Sequence, residues 1–188
     1  ANEARKILPN FSYPAKMYDF VKRRYQDGIA WEDTRDMVYD RYQVNQEDGY
    51  DITSRNLHCN GCFAAGINFA ASIISLLYGE GDIKKTIQVG TLCGWDSDNP
   101  TATWGGLIGF MIGKKGVETA FGRTFSEKYN IHRTRIGFPN NGIDTFTNMA
   151  KQGVLIVDKT IKREMGGIVD YKKDFWYIPY SQKNIKSQ

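Results

Sequence analysis

Cysteine is scarce and odd in number, three in 188 residues, which excludes a full disulfide framework. Cys59 and Cys62 stand at C-x-x-C spacing, but no second pair completes a zinc site. A c-type haem site needs a histidine after the second cysteine, whereas His58 precedes the first. With Cys62 opening an apolar stretch, small buried or half-buried thiols are the expectation. An excess of one charge is also missing. Lys and Arg number 25 against 21 Asp and Glu, for a net +4, and the basic residues are scattered rather than striped. The densest runs, Lys22-Arg23-Arg24 and residues 183–186, read as solvated surface, so no nucleic-acid partner is expected. A secretory leader is not visible either, because Ala1–Asn10 carries Glu3, Arg5 and Lys6 and no apolar core.

One run does lack charge. Residues 61–78 hold no Asp, Glu, Lys or Arg over eighteen positions, which is the threshold for a membrane span. Asn68, Ser72 and Ser75, with no basic flanks, point instead to a helix buried in a soluble domain, and no membrane partner is expected. The compartment is not legible beyond that, with the cytoplasm as the default. A hydrophobic content of 41% with 24% charged residues is ordinary for a globular chain. A single domain over residues 1–188 would bury about 70% of its unfolded surface.

Apolar residues recur at helical spacing through most of the chain. Met17, Phe20, Val21 and Tyr25 mark a helix from Pro14 to about Gln26, ended by Gly28. Trp31, Val38 and Tyr42 mark another over 30–42. After a polar loop at 44–57, the uncharged run forms the central helix. Asp82 caps the next one, 83–93, which delivers the chain to a cluster of acids. Beyond the cluster, Gly105, Gly109 and Gly113 fall on one face of a helix over 102–113. Each glycine costs about 1 kcal/mol relative to alanine, so close approach of another helix is expected there. Residues 116–121 form a short helix, 122–141 a loop and 143–165 a long helix. Residues 168–171 and 175–178 then make a small hairpin. The expected class is all-α with that hairpin as its only sheet.

The acidic cluster is Gly94-Trp95-Asp96-Ser97-Asp98-Asn99-Pro100. Side chains two apart in an extended loop point the same way, so Asp96 and Asp98 can converge, and Asn99 adds an amide oxygen. Three hard oxygen donors suit Mg2+ or Mn2+ better than zinc. An EF-hand is excluded, since the sixth position is Thr101 rather than Gly and the twelfth is Leu107 rather than Glu. The same letters also spell a helix start, with Asn99 as N-cap and Pro100 at the first helical position. The residues alone leave both readings open. His58, where the polar loop meets the central helix, is open in the same way between a ligand contact and a backbone cap.

The segment from His58 to Gly94, together with Gly94–Asn99 and the helix after it, resembles the ADP-ribosylglycohydrolase family over roughly half the chain. That family's second metal motif reads Gly-Gly-Asp-Thr-Asp-Thr. Trp95 replaces the second glycine, and Asn99 stands where a hydroxyl ligand is usual. The resemblance implies an all-helical orthogonal bundle and a binuclear Mg2+ or Mn2+ site beside an ADP-ribose pocket. It also implies hydrolysis of a glycosidic bond at the ribose C1″ of an ADP-ribosylated substrate. Asp96, Asp98 and Asn99 become the metal ligands held by this chain, and His58 and Trp95 the candidates for substrate contact. No catalytic acid or base is identified.

The family's first metal motif, a Thr-Asp-Asp run near a Gly-Asp-x-x-Gly turn, has no match in residues 1–93. Thr34-Arg35-Asp36 puts a cation where a carboxylate belongs. The chain therefore reads as the carboxy-terminal portion of the family fold, with the missing amino-terminal half as its partner. The alternatives are a non-catalytic module binding ADP-ribose or another nucleotide, and a metal-free helical interaction protein.

Overall fold

The computed structural model describes residues 1–52, 61–131 and 136–179. The chain divides into two compact units, Ala1–Arg123 and the residues from Thr124 onward. The described residues are mostly helical, as expected.

The first unit begins with a single turn, α1 (Asn2–Arg5), and continues with α2 (Tyr13–Gln26). Ser12 caps α2 by accepting the Ala15 N–H, and Pro14 sits in its first turn. Ala15, Met17, Tyr18 and Val21 form its buried stripe. Helix α3 (Trp31–Val38) runs on into one π-helical turn, Tyr39–Val44, where periodicity alone predicts one continuous helix. Helix α4 (Ala65–Gly79) is the centre of the unit, with Ile67, Ala70, Ala71, Ile73 and Ile74 buried. It starts four residues later than the uncharged run, because Gly61 takes φ +87° and a turn closes from the Ala64 N–H to the Gly61 carbonyl. Among the described residues, no helix is long and apolar enough to cross a membrane.

Helix α5 (Ile83–Leu92) opens on Asp82, whose carboxylate accepts the Lys85 N–H at 2.7 Å. Helix α6 (Asp98–Phe121) is broken at Gly113, with φ +68° and ψ 171°. The main core gathers Met17, Val21, Val38, Tyr42, Ile67 and Ile74 around α4. Tyr78, Thr34 and the Ile29 carbonyl form one paired polar chain inside it. Tyr78 donates its hydroxyl proton to the Ile29 carbonyl at 2.9 Å, so the 2.7 Å contact with Thr34 has Thr34 Oγ1 as donor.

Glycines do bring helices together, but on α6 only Gly105 faces another helix, where a Cβ would make ordinary contact with Ile87 of α5 at 3.5 Å. A Cβ at Gly109 would meet only Val117 Cγ2, at 3.7 Å, and Gly113 has no neighbour within 4 Å. Gly113 serves the backbone break rather than packing, so the expected close approach on that face is not found. Gly109→Ala should consequently stabilise the protein by about 1 kcal/mol from helix propensity alone, and a lower urea midpoint in that variant would refute the reading. Between helices the tight positions are Gly79, facing Thr86, and Gly90, whose Cβ would lie 2.9 Å from Ser75 Oγ and 3.0 Å from Thr101 Cγ2. These contacts draw α5 against α4 and the start of α6.

Thr86 sits in that contact with its hydroxyl buried and unpaired among the described residues. An unmade buried hydrogen bond costs about 1–3 kcal/mol. Thr86→Val keeps the branched shape without the hydroxyl and should raise unfolding free energy by about 1 kcal/mol, measured by chemical denaturation.

In the second unit, strands β1 (Lys128–Asn130) and β2 (Ile143–Thr145) pair antiparallel, with Tyr129 opposite Asp144. The sequence reading has a loop over the first and helix over the second, so this sheet is an addition. Residue Thr145 ends β2 and caps α7 (Phe146–Arg163), its hydroxyl accepting the Asn148 N–H at 3.0 Å. The expected terminal hairpin is present as β3 (Ile168–Asp170) and β4 (Phe175–Tyr177), with Val169 opposite Trp176. Asp158 on α7 is buried and holds the hairpin, accepting from Tyr171 Oη at 2.9 Å and Trp176 Nε1 at 2.8 Å.

Candidate metal centre

Helix α5 hands the chain to the acidic loop through Cys93, a buried free thiol pushed up to about 12 by burial. The backbone then turns through two consecutive left-handed residues, Gly94 at φ +86° and Trp95 at φ +54°. Glycine takes that conformation freely, but a large side chain there costs about 1–3 kcal/mol. The Trp95 ring is half-buried against the core around α4, which offsets the strain. This is the position where the resembled motif carries a second glycine, and the geometry shows why: the turn itself demands a left-handed residue.

After Trp95 the loop is held at both ends. The Asp96 N–H donates to Asn68 Oδ1 on α4 at 3.0 Å, and the Asn99 N–H donates to the Asp96 carbonyl at 3.0 Å. Helix α6 starts at Asp98, with Ser97 at the cap position and no side-chain cap bond. Asn99 therefore lies inside the first turn and is not the cap. Thr101 Oγ1 is 2.9 Å from both the Ser97 and Asp98 carbonyls, and Thr103 Oγ1 donates to the Asn99 carbonyl at 2.9 Å. One turn further along α4 from Asn68, the Ser72 carbonyl accepts from Trp104 Nε1 at 2.8 Å.

The structure brings Trp95, Asp96, Asp98 and Asn99 together on one short stretch. Asp96 is half-buried, while Asp98 and Asn99 are exposed. Among the described residues, none of the side chains of Asp96, Asp98 and Asn99 makes a hydrogen bond or ion pair. The loop's order comes from its backbone, and its side-chain oxygens are left available. Two carboxylates and an amide oxygen fit part of the shell of a hard divalent cation, which takes six oxygens in the case of Mg2+. They do not fill it: among the described residues there is no group of three or more His, Cys, Asp or Glu able to hold a metal.

His58 lies outside the described residues, as do Cys59, His132, Arg133 and Arg135. Cys62 is disulfide-bonded, which corrects the expectation of a free thiol there. Thr34-Arg35-Asp36 is spoken for, with Thr34 buried on Tyr78 and Arg35 paired to Asp36 at 2.7 Å. The residues that the sequence reading passed over are Asn68, Ser72 and Trp104. For Asn68 and Ser72 the signal is present, as polar positions spaced four apart in a largely apolar helix, but it serves in the sequence only to argue against a membrane span; Trp104, on α6, carries no such signal.

Comparison with known proteins agrees with the loop's resemblance and widens it. The family model for ADP-ribosylglycohydrolase matches residues 3–140, well over half of the chain, so it takes in the amino-terminal helices as well as the acidic loop. Helix α7 and the β3–β4 hairpin fall after the matched segment. No curated protein and no solved structure matches the chain. With the match covering α1 through α6 and the acidic loop within it, the chain belongs to the ADP-ribosylglycohydrolase family.

Proposed function

We propose that the protein is a metal-dependent hydrolase of ADP-ribosyl glycosidic bonds, and that this chain supplies one half of its binuclear Mg2+ or Mn2+ site. The carrying observation is the acidic loop, whose backbone is fixed on α4 while the oxygens of Asp96, Asp98 and Asn99 engage no protein donor among the described residues. Two adjacent carboxylates repel unless something positive compensates them. When bound, a divalent cation orients a ribose diol and polarises a water against the anomeric carbon. Asp96 and Asp98 would hold it with charge, and Asn99 with a neutral oxygen. Trp95, next to the ligands in the chain and only partly buried on the core, would offer a flat apolar surface to the sugar or base. His58 keeps its place as a candidate substrate contact.

Three protein oxygens leave coordination positions for a second protein segment, for water and for substrate. A completing segment with the first metal motif is therefore part of the proposal. Support comes from α6 beyond the loop, where Leu107, Phe110, Met111 and Ile112 are exposed, Phe110 at 87%. An apolar run of that kind marks a surface built to be covered. The test is release of ADP-ribose from an ADP-ribosylated peptide by the complete protein, with and without Mg2+ or Mn2+. Cation-independent release, or binding of ADP-ribose without any release, would displace this reading. The second of those results is the one expected for a non-catalytic nucleotide-binding module.

A further inference from the structure

We propose that Asn68 is the positioning residue of the acidic loop, a single amide that sets where Asp96 and Asp98 stand. The inference rests on the reading of that loop as cation-bearing. Asn68 is half-buried one turn into α4 and uses both ends of its side chain. Its Oδ1 accepts the Asp96 N–H at 3.0 Å, while Nδ2 donates to the Cys62 carbonyl at 2.7 Å and the Ala64 carbonyl at 3.0 Å. Only one orientation of the amide works. Flipped, the NH2 would face the Asp96 N–H and the oxygen would face two carbonyls. The group thereby ties three segments at once: the turn at 61–64, the first turn of α4 and the backbone of the first candidate ligand.

The second tether makes the geometry directional. Ser72 follows Asn68 by four residues, so the two lie on one face of α4, and Ser72 receives the Trp104 indole N–H through its carbonyl. The loop from Asp96 to Asn99 is consequently slung between two fixed points on the same helix face. The Ser72 end uses a main-chain carbonyl, which most substitutions at 72 would retain. The Asn68 end depends on the side chain alone. Aspartate cannot replace it, because a carboxylate would face two carbonyl oxygens and add a third negative charge to the loop.

The experiment compares wild type, Asn68→Ala, Asn68→Asp and Ser75→Ala, by Mn2+ titration followed by electron paramagnetic resonance and by amide exchange of the metal-free protein. Ser75 serves as the control because it lies on the same helix, yet its Oγ donates across to the Thr86 carbonyl on α5 at 2.8 Å and not to the loop. Both Asn68 variants should weaken Mn2+ binding at least about 10-fold, the scale of a lost outer-shell partner. The Asp96 amide should also exchange at least about 10-fold faster in both. Ser75→Ala should change neither. Unchanged exchange at Asp96 in the Asn68 variants overturns the proposal, as does wild-type Mn2+ affinity in them. If wild type itself takes no Mn2+ and Asp96→Asn changes nothing, the metal reading fails, while the exchange data still decide whether Asn68 sets the loop.

Discussion

Asp98→Asn in the complete protein should reduce release of ADP-ribose by more than about 100-fold, the upper end of what loss of a mere outer-shell partner costs a metal site. The substitution removes one charge and almost no volume. Asp98 is exposed in the first turn of α6 and has no side-chain partner among the described residues, so the fold loses little with it. The loss is confined to a favourable interaction with the helix N-terminus, about 0.3–1 kcal/mol. A helix-start residue and a metal ligand thus predict different pairs of numbers. The first gives a small stability loss with activity kept; the second gives the same small loss with activity gone. Asp98→Ser adds a check, since a hydroxyl preserves the helix start better than asparagine preserves charge. Full turnover and unchanged Mn2+ affinity in Asp98→Asn would return the residue to a structural role and remove the main support for the enzymatic reading.

What the sequence carried to that point was the loop's composition, not its mechanics. Asp96, Asp98 and Asn99 are legible because acids at i and i+2 are a local pattern. The helix start is local too, yet the cap offered at Asn99 as one of two open readings lies at Ser97 in the structure. The Asn-Pro pair signals a cap strongly, and here the loop's bonds to α4 set the boundary instead. Trp95 shows the same limit. Its left-handed φ of +54° is against the preference of any bulky residue, and it is tolerated because the ring packs on the core. Propensity cannot foresee a conformation that tertiary contact imposes. Helices α2 and α5 were legible because their periodicity and caps agree, α4 from its uncharged run, though the helix starts four residues into it, and the terminal hairpin from two apolar runs split by Lys172-Lys173-Asp174. Sheet β1–β2 was not, since residues 131–142 separate its strands, whereas only the short turn at 171–174 separates β3 from β4.

Gly79→Ala should be the most destabilising of the small substitutions, by at least about 2 kcal/mol once overpacking is set against helix propensity. The added Cβ would lie 2.7 Å from both Thr86 Cα and Thr86 Cβ. A side-chain end could swing aside, but a Cα cannot, so α5 as a whole would have to move away from α4. That displacement reaches the acidic loop, because α5 leads through Cys93 into Gly94 and Trp95. Gly90 makes the same interface tight on its other side, against Ser75 and Thr101, and leaves no slack for the shift. At about 2–4 °C per kcal/mol for a chain of this size, the melting temperature should fall by at least about 4 °C. The contrast is with Gly109→Ala, where the same methyl would make only ordinary contact with Val117 Cγ2 at 3.7 Å and should stabilise. Opposite signs for one chemical change, at two helical glycines of one chain, separate packing from propensity without any further assumption. Adding Thr86→Ala to Gly79→Ala should recover only part of the loss, since the Thr86 Cα stays in the way. Full recovery would mean that the side chain alone was the obstacle, and a melting temperature raised by Gly79→Ala would mean that α4 and α5 are not in close contact there.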